Sequence, residues 1–96
     1  MQVARVKGNV VSTEKAEQLN NFKLLVIKPI DLRTFEETGP MVVAVDVVGA
    51  GEGEVVLVTG GSPARQTKRT DMKPVDQTIV GVIDNIDIKG ARVFTK

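Results

Sequence analysis

Two valine-rich runs around a glycine-rich turn constrain the fold more than any other feature of the chain. Residues 42–48 (VVAVDVV) and 54–59 (EVVLVT) flank the sequence GAGEG at residues 49–53. Runs rich in β-branched residues are typical of strands, and glycine permits backbone angles with φ above zero. We therefore predict two strands that turn back on each other through this glycine-rich turn.

The composition predicts a small β domain. The chain has 96 residues, a length typical of one domain, so we expect residues 1–96 to form a single unit. Apolar residues make up 42% of the chain and aromatic residues only 3%. The core must therefore be filled by Val, Ile and Leu, and this composition favours strands over helices.

The segment pattern predicts five strands with little helix. The strands are expected at residues 2–11, 22–30, 42–48, 54–59 and 78–88. Ser62 and the proline after it are typical of a helix start, so a short helix is predicted over residues 64–69. Residues 92–96 could add one more strand or pair with a neighbouring copy. Short strands without a βαβ rhythm indicate a small, mainly all-β barrel with one short helix.

The missing residue types exclude several classes of chemistry. The chain has no cysteine and no histidine, which excludes disulfides, thiolate metal sites, a cysteine nucleophile and an imidazole base. We therefore expect no metal and no cofactor. A net charge of +1 gives no broad attraction to nucleic acid or acidic membranes. No apolar run approaches membrane-spanning length and no export signal is evident, so a cytoplasmic protein is expected.

The glycine-rich turn superficially resembles a phosphate-binding loop. Such a loop needs a helix after it, whose first amides and positive dipole face the pyrophosphate. A strand is predicted to follow this turn instead. Glu52 and Glu54 would also place negative charge where a phosphate would bind. The sequence therefore favours a structural turn or a packing surface over a nucleotide site.

Asp46 is the one acid in an otherwise apolar strand. A carboxylate among valines could be a catalytic acid with a raised pKa. It could equally face outward, or accept hydrogen bonds from the backbone of a nearby loop. No second acid converges on it in the sequence, so a structural role is favoured.

Two groups of basic residues have no assigned role from the sequence alone. Arg65, Lys68 and Arg69 would lie on the predicted helix, where a solvated face or a subunit contact is favoured over nucleic-acid binding. The chain has no Tyr or Trp to stack on bases, and its three Phe residues are scattered. Arg5 and Lys7 on the first strand could protect a strand edge or pair with acids of a neighbouring subunit.

Five blocks of the sequence, in order, carry a family resemblance. The first two blocks are VKGNVVSTEK at residues 6–15 and KLLVIKPID at residues 23–31. The third, VAVDVVGAGEGEVVLV at residues 43–58, contains the glycine-rich turn. GSPAR at residues 61–65 and VDQTIVGVID at residues 75–84 complete the series. Together these blocks resemble the EutN/CcmL family of bacterial microcompartment vertex proteins.

This resemblance implies a five-stranded barrel related in shape to OB-folds, assembled as a pentamer. Such pentamers cap the five-fold vertices of protein shells tiled by hexameric shell proteins, which would be the partners. The chain would then be a structural protein and not an enzyme. An OB-fold-like nucleic-acid-binding module is the alternative from another class, and an Asp- or Lys-based hydrolase is a third.

The residues expected at a subunit contact or at the central opening of the ring come from three parts of the chain. These are Arg5, Asp46, Gly49, Ala50, Gly51, Glu52, Gly53, Glu54, Ser62 and Arg65.

Overall fold

Eight strands form the described part of the protein in a computed structural model that describes residues 1–12, 22–60 and 76–96. The strands are β1 (Gln2–Val10), β2 (Lys23–Asp31), β3 (Glu36–Glu37), β4 (Val42–Asp46), β5 (Val55–Gly60), β6 (Gln77–Val82), β7 (Asn85–Ile88) and β8 (Ala91–Thr95). The expected all-β fold is confirmed. The predicted helix at residues 64–69 lies outside the described residues, as do Ser62 and Arg65.

Five of these strands close into a barrel. The strand order is β1–β5–β6–β4–β2, and β1 also pairs with β2. Every neighbouring pair in this ring is antiparallel except β4 and β6, which are parallel. Closure gives each of the five strands a partner on both sides, and this removes the open edges that a flat sheet would expose.

The prediction that the two valine-rich strands turn back on each other as a pair is wrong. Strand β6 lies between them, because it pairs with β4 on one side and β5 on the other. The connection from β4 to β5 therefore crosses the end of the barrel instead of forming a hairpin. Both strands are apolar on both faces, so alternation in the sequence carries no information about which partner each one takes.

The predicted fifth strand at residues 78–88 is also wrong in its length, because it divides into two. Strand β6 ends at Val82, and β7 begins at Asn85 in a separate two-stranded sheet with β8. Lys89 and Gly90 form the turn between β7 and β8, with φ values of 52° and 79°. Positive φ at both central residues is typical of the tight turns that match the twist of a hairpin. The extra C-terminal strand considered from the sequence is confirmed as β8.

Two apolar clusters hold the structure together. The first fills the barrel and consists of Ala4, Val6, Leu25, Ile27, Ala44, Ala50, Val56, Val58 and Ile79. The second lies on the outside of β1 and β5, where Val3 and Val55 pack with Phe35, Ile86 and Phe94. The rings of Phe35 and Phe94 are stacked, with centroids 5.2 Å apart. The β7–β8 hairpin thus covers one outer wall of the barrel.

Candidate functional site

The loop between β4 and β5 closes one mouth of the barrel. We call residues 49–54 the barrel-mouth loop. Ala50 has no exposed surface and belongs to the cluster that fills the barrel, so it acts as a plug. An open cavity of about 260 Å³ remains beside it, lined in part by Lys23 and Glu52. The glycine-rich turn is therefore a lid of the barrel and not a simple hairpin turn.

Asp46 holds the start of the barrel-mouth loop and the residue before it. Its carboxylate accepts hydrogen bonds from the backbone amides of Val48 and Gly49, both at 3.1 Å, and of Ala50 at 2.8 Å. Its side chain is only 1% exposed. Asp commonly stabilises turns by accepting from amides a few residues ahead. The backbone-accepting role considered for Asp46 is confirmed.

Lys23 ties the start of β2 to the same part of the loop. Its ammonium group donates to the carbonyl oxygen of Ala50 at 2.7 Å and lies 3.6 Å from Oδ2 of Asp46. The Asp46 carboxylate therefore has both amide donors and a cation beside it. Charge-assisted contacts of this kind are stronger than those between neutral groups.

Strand β1 holds the second half of the loop. The amide of Gly53 donates to the carbonyl oxygen of Val6 at 2.8 Å, and the amide of Val6 donates to the carbonyl oxygen of Glu54 at 2.9 Å. The guanidinium group of Arg5 donates to the carbonyl oxygen of Gly53, also at 2.8 Å. Gly49 and Gly53 have φ values of 84° and 88°, which other residues rarely adopt. The loop is thus fixed at both ends by backbone geometry that favours glycine.

Glu54 connects the loop to the C-terminal residue. Its Oε1 accepts the amide of Gly51 at 2.6 Å, and its Oε2 lies 3.0 Å from Nζ of Lys96. The hydrogen bond from Lys96, followed by that from Gly51, holds the pKa of the Glu54 carboxyl below its ordinary value. The same contact raises the pKa of Lys96. The ion pair therefore favours the charged form of both groups.

Arg5 and Lys7 meet an acid of their own chain. Nε of Arg5 lies 3.4 Å from Oε2 of Glu37, and Nζ of Lys7 lies 2.9 Å from Oε1. The hydrogen bond from Lys7 is the main reason that the pKa of Glu37 is lowered. At Arg5, β1 is paired with both β2 and β5. Arg5 therefore does not protect an open strand edge.

The structure brings most of the residues singled out in the sequence to this one mouth of the barrel. Asp46 and Ala50 are buried within their own subunit, so their side chains act on the loop's conformation. Glu52 and Gly53 are exposed and form the outer surface of the loop. The strand β5 follows directly, so no helix presents its first amides to a phosphate there.

Sequence reasoning missed Lys23 and Lys96 as partners of the loop. Lys23 lies 27 residues from Ala50 in the chain, and Lys96 is the last residue of an unremarkable polar tail. Neither carries a local signal, because only the closed barrel and the β7–β8 hairpin bring them to the mouth. The Phe35–Phe94 stack was missed for the same reason.

The described residues offer little chemistry at this mouth. They contain no group of three acidic, histidine or cysteine side chains that could hold a metal ion. In that part of the chain there is also no helix with the length and apolar character needed to cross a membrane. What the arrangement does provide is a rigid, exposed loop surface, fixed from three strands and from the C-terminus.

Comparison with known proteins identifies the family. The family described as "Ethanolamine utilisation protein EutN/carboxysome" (EutN_CcmL) matches residues 1–84. The chain belongs to the EutN/CcmL family. A bacterial microcompartment shell vertex protein, EutN of Salmonella typhimurium, is 40% identical over 96 residues, covering 100% of this chain and 96% of the relative.

Solved structures of EutN/CcmL proteins have the same fold. The structure of CcmL from a Nostoc species has a TM-score of 0.93 at 39% identity and covers 100% of both chains. The structure of GrpN from Rhodospirillum rubrum, described as a pentameric microcompartment shell protein, has a TM-score of 0.82 at 40% identity. It covers 92% of this chain and 99% of GrpN. The expected five-stranded barrel of the family is confirmed.

Proposed function

We propose that this chain is a structural vertex protein of a bacterial microcompartment shell and acts as a ring of five copies. The observation that carries the proposal is similarity along the whole chain to proteins with that role. EutN of Salmonella typhimurium, a shell vertex protein, is 40% identical over 96 residues. GrpN, a pentameric shell protein, is 40% identical over 92% of the chain.

The proposed mechanism is geometric. A layer of hexamers tiles a flat surface, and a closed polyhedron needs five-fold units at its corners. In a ring, each subunit presents two different surfaces in head-to-tail contact, and the angle between them decides whether the ring closes. A rigid barrel with a fixed mouth suits this task because it keeps that angle constant. Hexameric shell proteins are the partners that we propose, and the shell is the proposed location.

A structural role is also what the chemistry of the described site favours. The carboxylate of Asp46 already accepts three backbone amides and lies beside Lys23. The oxygens of an acid engaged in this way are occupied by its own loop, and its side chain is only 1% exposed to a substrate. We therefore propose that the chain has no catalytic activity.

The nucleic-acid-binding alternative has no support from the relatives described above. The net charge of +1 gives little attraction to phosphate groups. The rings of Phe35 and Phe94 stack on each other and not on a ligand. Exposed rings would be needed as stacking platforms for bases. A labelled oligonucleotide that stays unbound even at low salt would dismiss this alternative.

The oligomeric mass and the shape of the shell test the proposed function. Light scattering should give five times the subunit mass of 10.3 kDa. Co-expression with a hexameric shell protein should give closed polyhedra in electron micrographs, and omission of this chain should give sheets or open-ended tubes. A monomer in solution, or shells that close equally well without the chain, would overturn the proposal.

A further inference from the structure

The outer face of strands β2 and β4 is more apolar than is usual for a sheet face in contact with water. Antiparallel sheets that face water on one side usually alternate apolar and polar residues. Strands β2 and β4 instead read LLVI at residues 24–27 and VVAV at residues 42–45. Leu25, Ile27 and Ala44 belong to the cluster inside the barrel. The alternate residues therefore lie on the outer face.

The strand register assembles these outer residues into one surface. Val10 lies opposite Leu24 and Leu24 opposite Val45, while Gly8 lies opposite Val26 and Val26 opposite Val43. Directly opposite residues share a face of the sheet. We call these residues the outer wall, and they are Gly8, Val10, Leu24, Val26, Val43 and Val45. None of the six carries a charge.

The outer wall is open at one end within the subunit. Val45 is buried, but Val43 is 49% exposed and Met41, two residues before it, is 55% exposed. A side-chain carbon added at Gly8 would meet no atom of the described residues within 4 Å, so none of them covers the wall at this point. The wall of β1 and β5, in contrast, is covered by Ile86 and Phe94 of the chain's own hairpin.

Charged residues border the outer wall on one side. The next outward pair along β1 and β2 is Arg5 opposite Lys28, and Lys7 lies nearby. Glu37 is the acid that contacts Arg5 and Lys7, so this border carries excess positive charge. An apolar centre with a polar border is the usual anatomy of a protein–protein interface.

We propose that the outer wall is the surface that a second copy of this chain covers in the ring, an inference that rests on the proposed function. An aliphatic, uncharged surface suits an apolar protein partner and gives nothing for a nucleic acid to bind. Head-to-tail contact requires a different surface on the second copy. Strand β6 lies on the side of the barrel away from β1 and β2 and is flanked by exposed Asp76 and Asp84. These acids complement the positive border of the wall.

The first test replaces Val43 with a charged residue. In Val43→Glu, ring formation would bury an unpaired carboxylate, which is costly. The concentration at which the ring half-dissociates should rise at least about tenfold in sedimentation experiments. Val93→Glu is the matched control, because Val93 is 38% exposed and lies on β8, a strand that contributes no residue to the outer wall. The control should keep the wild-type mass.

A second test avoids any disruption of the fold. The chain has no cysteine, so Val43→Cys or Val93→Cys would carry the only thiol. In the intact ring, a thiol reagent should modify Val43→Cys at least about tenfold more slowly than Val93→Cys. In dissociated subunits, the two rates should converge. This comparison decides the matter even if Val43→Glu fails to fold.

The possible outcomes separate the two proposals. A wild-type chain that is monomeric overturns the proposed ring itself. A wild-type pentamer in which Val43→Glu keeps its mass and Val43→Cys reacts freely overturns only the assignment of the outer wall. Protection of Val43→Cys that needs added hexameric shell protein would also overturn it, because the wall would then face another shell component.

Discussion

The carboxylate of Asp46 accepts the backbone amide of Ala50 at 2.8 Å, and both residues are buried in the mouth of the barrel. This contact converts an acid in an apolar strand into the anchor of a loop. Two further amides, which are partly buried, and the half-exposed Lys23 meet the same carboxylate. Its removal would therefore leave the buried amide of Ala50 and these neighbours without that acceptor.

Replacement of Asp46 should therefore destabilise the subunit. We expect Asp46→Ala to lower the free energy of unfolding by about 2–3 kcal/mol in urea titrations at a fixed protein concentration. Asp46→Asn keeps one acceptor oxygen, so its free energy of unfolding should lie between those of the wild-type chain and Asp46→Ala. Asp87→Ala is the matched control, because Asp87 is half exposed and pairs with Arg92 at the surface. Equal effects of Asp46→Ala and Asp87→Ala would contradict the anchoring role.

Gly51 and Gly53 should respond differently to substitution. A side chain at Gly51 would meet only Oε1 of Glu54, at 3.5 Å, whereas Gly53 has a φ of 88° that strains any other residue. We expect Gly51→Leu and Gly51→Trp to impair ring assembly more than subunit folding. Gly53→Ala should lower subunit stability by about 1 kcal/mol.

Light scattering and thermal unfolding together distinguish these effects. The Gly51 variants should lose mass in solution while their circular dichroism stays that of a folded barrel. An unchanged oligomer in Gly51→Trp would show that the outer surface of the barrel-mouth loop lies outside the assembly contacts.

Sequence reasoning located strands well and their partners poorly. Strands β1, β2 and β5 begin and end within one residue of their predicted bounds, because β-branched runs and turn residues are local signals. The placement of β6 between β4 and β5 depends on contacts between residues far apart in the chain. Strands β4 and β5 are valine-rich and apolar on both faces, so many pairings satisfy their local pattern.

The candidate site shows the same division. The glycine-rich turn and Asp46 are evident in the sequence because their residue types are unusual for their surroundings. Lys23 and Lys96 are ordinary surface residues until the barrel closes and the hairpin folds back. The predicted fifth strand ends where contacts with distant residues end: the amide of Ile83 still donates to the carbonyl oxygen of Val55, and β7 then pairs with β8 in the separate sheet.

The ion pair between Glu54 and Lys96 should make stability depend on pH in a defined direction. The pKa of Glu54 is held below its ordinary value of 4.5, mainly by Lys96. Between the lowered pKa and pH 4.5, the folded state therefore binds fewer protons than the unfolded state. The contribution of Glu54 is therefore present above pH 4.5 and is lost as the pH falls through the lowered pKa. Lys96 has a raised pKa, so its contribution is present below pH 10.5 and is lost at higher pH.

A comparison with Lys96→Met isolates this pair from the other acids. The wild-type chain should have the higher urea midpoint at pH 7. The difference should shrink as the pH falls below 4.5 and disappear once Glu54 is protonated in the folded state. High salt at pH 7 should reduce the difference, because the pair is partly exposed and is screened. A difference that stays constant from pH 7 down to the acid-unfolding transition would mean that Lys96 acts through packing alone.

The stack of Phe35 and Phe94 should decide whether the β7–β8 hairpin stays on the barrel. An isolated two-stranded hairpin is marginally stable in water, so this one depends on its apolar contacts with Val3 and Val55 on the outside of β1 and β5. Phe94→Ala removes the stacked ring and its buried area, a loss of more than about 1.4 kcal/mol. Amide hydrogen exchange in the hairpin should accelerate at least about tenfold, while the amides of the barrel keep their protection.

Val93→Ala, a change at the adjacent exposed residue, should leave the exchange rates of both the hairpin and the barrel unchanged. Equal acceleration in hairpin and barrel would instead show that the two unfold as one unit.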